Sequence, residues 1–137
     1  MSLLNVFEIA GSAMSAQTVR LNVTASNMAN VDSVGSSTGS TYRARHPVFE
    51  TIYSDSMNNG LSNGVRVSGI IESQSPLRKE FEPAHPNADE EGYVYYPNVN
   101  SIEEMTNMMS ATRSFQNNVE IINASKQMLL RTLSIGQ

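Results

Sequence analysis

Residues 101–133 read SIEEMTNMMSATRSFQNNVEIINASKQMLLRTL, and the spacing of their apolar side chains decides the fold class. Met105, Met108, Thr112, Phe115, Val119, Ile122, Lys126, Leu129 and Leu133 follow one another at alternating steps of three and four. That spacing lines them up on one stripe of an α-helix, with Lys126 as the only break. Ser101-Ile102-Glu103-Glu104 has the form of a capping box, which sets the start of the helix. Glu103 and Glu104 suit the positive end of its dipole, and Gly136 supplies the stop. At about 1.5 Å per residue the segment is roughly 50 Å long. Its other faces carry Asn107, Ser110, Ser114, Asn117, Asn118, Asn123 and Ser125, uncharged residues that form helix poorly by themselves. Such a helix needs partners.

The start of the chain answers it. Phe7, Met14, Leu21 and Met28 recur at sevens, with Leu4, Gly11, Thr18 and Ala25 offset beside them, a heptad-like seam sustained along the segment. Ala10, Ser12, Ala13, Ala16, Ser26 and Ala29 let other backbones come close. Glycine, serine, threonine and asparagine weaken intrinsic helicity in both segments, so each is expected to be disordered alone and to order only when paired. The pairing is open at this point: a two-helix hairpin closing on itself, or packing against neighbouring subunits.

Composition narrows the function classes. A hydrophobic share of 39% in 137 residues argues against a large private core, and a net charge of −4 without a basic run argues against nucleic acid and anionic membrane surfaces. There is no cysteine, which removes disulfides, thiol nucleophiles and cysteine metal sites. No Lys or Arg precedes Arg20 and no long apolar run follows, so neither a cleaved secretion signal nor membrane insertion is expected.

Between the helices the period changes to two. Residues 32–42 form a Gly/Ser linker. Val48 to Tyr53 and Val65 to Ile71 read as strands, with Asn59-Gly60 and Asn63-Gly64 as turn residues of positive φ. Pro76, Pro83 and Pro86 confine the next stretch to edge strands or loops, and Tyr93 to Tyr96 forms one more strand. The expected fold is α+β: an N-terminal helix over 1–31, the linker, a small β-rich middle domain over 43–97, and a C-terminal helix over 98–137. The two long terminal helices pair as a coiled coil.

The run from Ser12 to Asn30, with Asn27 and Asn30 at its end, resembles the N-terminal signature of the bacterial flagellar rod, hook and hook-associated axial proteins. Pro83 to Val94, then Tyr96-Pro97-Asn98-Val99-Asn100, Glu103-Glu104-Met105 and Ala124 to Met128, is similar to the proximal-rod members of that family, and the likeness covers nearly the whole chain. The resemblance implies a structural subunit whose terminal helices pack with those of neighbours into a hollow shaft. It implies copies of itself and other rod proteins as partners, and a place in the basal body in the periplasmic space. It also implies passage through the flagellar export apparatus without a cleaved signal. The assembly seam would comprise Leu4, Phe7, Met14, Leu21, Ala25 and Met28 with Met105, Met108, Thr112, Phe115, Val119, Ile122, Leu129 and Leu133. On sequence grounds alone, a soluble helical partner-binding module such as an export chaperone or adaptor is the alternative.

Catalysis is not expected. His46 and His85 both precede prolines, and no nucleophile elbow, phosphate loop or zinc-protease motif is present. Asn87 to Gly92 follows a calcium loop up to its glycine, but Asn98 stands where the bidentate Glu belongs, so an acidic turn between two strands is expected instead, with no metal or other cofactor.

Overall fold

The computed structural model describes residues 3–53 and 63–135. Asn59-Gly60, Gly136 and the side chain of Leu4 lie outside the described residues. The order is α1 (Leu3–Ala29), β1 (Arg45–Tyr53), β2 (Asn63–Glu72), β3 (Arg78–Phe81), β4 (Tyr93–Tyr96) and α2 (Ser101–Ile135). Two long helices pack on each other, and the middle of the chain is antiparallel β, so the fold is α+β as the change of period requires.

The helices run antiparallel, since Asn27 meets Glu104 and Arg20 meets Asn107. On α2 the buried face is Glu104, Ala111 and Ser125, with Met108, Phe115, Ile122 and Leu129 half-buried beside them. This corrects the phase of the expected stripe. Its alternate members Met105, Thr112 and Leu133 are exposed and Val119 is half-buried, while Glu104, Ala111 and Ser125, one position before Met105, Thr112 and Lys126, take the inner places. Small side chains at those places allow close helix approach, whereas Lys126 cannot leave water unpaired. The cap is corrected as well. Asn100, not Ser101, caps α2: its Oδ1 accepts from the Ile102 N–H at 3.1 Å, while Glu104 turns inward to Asn27.

α1 is covered on two sides, by α2 and by the β1–β2 hairpin. Phe7, Met14, Leu21 and Met28 are half-buried, Ala25 is exposed, and the deepest positions are Ala10, Ala16, Val23, Thr24 and Asn27. The helix ends where Asn30 donates its side-chain amide to the Ser26 carbonyl at 2.8 Å. Asn63-Gly64 is not a turn: both residues open β2, and among the described residues only Gly92 has positive φ. Gly64 is small for another reason. The Ser12 hydroxyl sits 3.1 Å from where its Cβ would be and accepts from the Val65 N–H at 3.2 Å, bringing hairpin and helix together.

β1 and β2 pair from Arg45–Glu72 to Tyr53–Asn63, with the register shifting between Val48 and Phe49 so that Ser68 has no opposite residue. β3 pairs with β4, and Pro76 and Pro83 flank β3 in a two-stranded sheet that has only edges. Asp89 closes the turn between them, its Oδ1 accepting from the N–H groups of Glu91 and Tyr93 at 3.0 and 2.8 Å. The Gly/Ser stretch is folded onto this sheet by a Gly35–Tyr95 bridge, and Val94 beneath it is fully buried.

Candidate functional site

Two features stand out: a polar junction where both helices meet the β region, and apolar side chains on α2 that are left exposed among the described residues.

The junction is built on Asn27. It sits on the last full turn of α1 and has 0% exposure. Its Nδ2 donates to the Arg45 carbonyl at 2.8 Å and to Glu104 Oε2 at 3.1 Å; its Oδ1 accepts from the Arg45 N–H at 2.9 Å and the Tyr42 hydroxyl at 2.8 Å. A primary amide has two N–H donors and two acceptor lone pairs, so every polar valence is used. Asn98, just ahead of α2, makes the companion contacts. Its Oδ1 accepts from the Ala44 N–H at 2.8 Å, and its Nδ2 donates to the Ser75 carbonyl at 2.9 Å. The Arg43 guanidinium donates to the carbonyls of Ser73 and Ser75, fastening the segment after β2 to the same place. Arg20 donates to Asn107 Oδ1 at 3.0 Å, the next contact along the helix pair.

Of the motif residues, Asn27, Asn98 and Glu104 converge here, and Pro97 is buried beside them. Asn30 caps α1 instead. Tyr96 belongs to the β3–β4 sheet, where its hydroxyl donates to Glu82 at 3.3 Å and Arg78 stacks 4.7 Å from its ring. Desolvation, then the Glu82 carboxylate, raises the pKa of that phenol above its ordinary value.

The second feature runs along the outside of α2. Ile102, Met105 and Met109, at steps of three and four, are exposed near its start, and Leu130 and Leu133 near its end. At 35 residues against 27, α2 is longer than α1, and Leu133 is 70% exposed. The expected seam therefore divides. Phe7, Met14, Leu21 and Met28 with Met108, Phe115, Ile122 and Leu129 are partly enclosed within one chain, whereas Met105, Thr112 and Leu133 face outward. Ala111 and Ser125 were missed, although their recurrence at sevens from Glu104 was open to view. Among the described residues no group of three or more acidic, histidine or cysteine side chains is placed to hold a metal, and no helix is long and apolar enough to cross a membrane.

Residues 7–35 match the family model described as flagella basal body rod protein, and residues 90–135 match the flagellar basal body rod FlgEFG protein C-terminal model. Over its full length the chain is 50% identical to the flagellar basal-body rod protein FlgC of Salmonella typhimurium, with all of both chains covered. The chain belongs to the FlgC family of flagellar basal-body rod proteins. Likeness within the FlgC family is 52% to the Yersinia enterocolitica protein, again over all of both chains, and 36% to that of Borreliella burgdorferi, over all of this chain and 99% of the relative. The two rod-protein matches fall on the helix pair and on the segments bearing Asn27, Asn98 and Glu104, leaving the β1–β2 hairpin outside both.

Proposed function

We propose that the chain is a structural subunit of the proximal rod of the bacterial flagellar basal body, forming with its neighbours a hollow shaft that transmits torque and conducts exported subunits. Membership of the FlgC family carries the reading, and the uncovered apolar side chains of α2 support it, because exposed apolar side chains grouped on one helix mark a surface that another chain covers. The partners are further copies of the chain and other rod proteins. The contact between copies is heterologous, so identical units continue as a cylinder rather than closing as a dimer. Its assembly residues are Leu4, Phe7, Met14, Leu21, Ala25 and Met28 on the first helix and Met105, Met108, Thr112, Phe115, Val119, Ile122, Leu129 and Leu133 on the second. No bond is made or broken and no cofactor takes part.

The chain reaches the periplasmic space through the flagellar export apparatus without a cleaved signal, and takes up its place there without inserting into a membrane. Weak helix propensity in both arms suits unfolded transit and ordering on arrival.

The test replaces Ile102, Met105 and Met109 together by Ser. The variant is expected to keep the circular dichroism of the parent, since each of these side chains is more than half exposed, and to be absent from purified basal bodies of non-motile cells. Normal rods containing the variant would overturn the proposal.

A further inference from the structure

α1 and α2 pack on each other, and half-buried apolar residues recur every seven positions on both: Phe7, Met14, Leu21 and Met28 on the first, Met108, Phe115, Ile122 and Leu129 on the second. Sliding one helix past the other by seven residues, about 10 Å, exchanges each rung for an equivalent one. Apolar burial therefore discriminates weakly between the two registers. Charge does not forbid the slide either. Moving α1 toward the start of α2 brings Arg20 to the place of Asn27, opposite the Glu104 carboxylate.

Several polar contacts distinguish the native register, among them Arg20 to Asn107 and Asn27 to Glu104, and those on Ala44 and Arg45 are where both helices are tied to the same two residues. Asn27, at the end of one helix, holds both backbone groups of Arg45, and Asn98, three residues ahead of the other, holds the N–H of Ala44. The end of α1 and the approach to α2 thus grip adjacent residues. Asn27 is wholly buried, and in a slid register the two part-buried Arg45 backbone groups and the Tyr42 hydroxyl lose the partner it now provides.

We infer that Asn27 and Asn98 form a two-amide clamp on Ala44 and Arg45 that selects the register of the helix pair, a choice the seven-residue apolar ladder leaves open. Selecting register is the best-attested use of a buried polar group between helices. Because Arg45 opens β1, the same clamp sets where the hairpin stands along the helices.

The chain has no cysteine, so Ser15→Cys and Asn123→Cys, both at exposed positions, take spin labels at those two sites alone. Dipolar spectroscopy on the frozen full-length chain is expected to give one narrow distance. Asn27→Ala with Asn98→Ala adds a second population displaced by up to about 10 Å, the axial length of seven residues. Arg20→Gln on that background removes it. Ser125→Ala, at a site only 2% exposed but outside the clamp, keeps the single distance. A clampless chain that retains its helical signal and the single parental distance overturns the inference. So does outright loss of the helical signal, which would mean that the amides hold the helices together rather than choose their register. A second population indifferent to Arg20→Gln overturns the seven-residue slide, and a labelled parent without a narrow distance overturns the selected register itself.

Discussion

Single atoms decide several positions here. A Cβ on Gly35 would lie 2.3 Å from the Thr41 hydroxyl and 3.0 Å from Thr41 Cα, so the Gly/Ser stretch can fold back on itself only with glycine at that point. Gly35→Ala is expected to cost about 1–3 kcal/mol, the range for forced overpacking, and to lower the melting temperature by several degrees. Gly39→Ala, where nothing lies within 4 Å, is expected to leave it unchanged. Equal effects of the two in thermal melts would refute the close approach. From sequence, both glycines look like parts of one flexible linker. Composition records that a stretch is poor in apolar residues, but not that a strand elsewhere has a free edge to hold it. Asn27 and Asn98 are similar: their residue type and motif are plain in the sequence, while their partners are backbone groups that any residue could supply.

At the scale of the element, α2 shows how far periodicity reaches. Steps of three and four identify the helix and its approximate inner face, but Met105 and Glu104 differ by only about 100° around the axis, and hydrophobicity favours the wrong one. Close packing decides in favour of Ala111 and Ser125, which are 0% and 2% exposed. Ala111→Leu is expected to destabilise the chain by about 1–3 kcal/mol through overpacking. Thr112→Leu, one position on and exposed, should stay within about 0.5 kcal/mol. Urea unfolding of the two variants checks this, and the reverse order would restore the phase read from the apolar residues. Phe115 is only half-buried within the chain, so Phe115→Ala should cost the isolated protein about 2 kcal/mol, less than for a fully enclosed ring. Under the proposed assembly its exposed part is covered by a neighbour, and incorporation into basal bodies is expected to fail although the β sheets remain folded.

For the whole molecule, the described core is small: Ala10, Ala16, Val23, Ala44, Val94 and Ala111 are its buried apolar residues. Side chains that a larger domain would enclose, such as Val48, Phe49, Ile70 and Ile71 of the hairpin, stay at the surface. This suits a unit completed by neighbours, and we propose that the N-terminal arm serves export as well as assembly. Deleting residues 1–30 is expected to abolish export as well as assembly; secretion of the truncated chain into the medium of a rod-deficient strain would separate the two and contradict the assignment.

Order along the chain is enough to show that two long helices flank a β region and that their apolar residues lie on stripes. It also placed the chain in a family, because helical and strand periods and long motif runs are properties of order along the chain. Tertiary structure alone decided which edge of each stripe turns inward, that Asn100 rather than Ser101 caps α2, that β3 forms between its prolines, and that two asparagines hold Ala44 and Arg45. Each of these depends on how closely one backbone approaches another, a distance fixed by contacts among residues far apart in order and written in no local pattern.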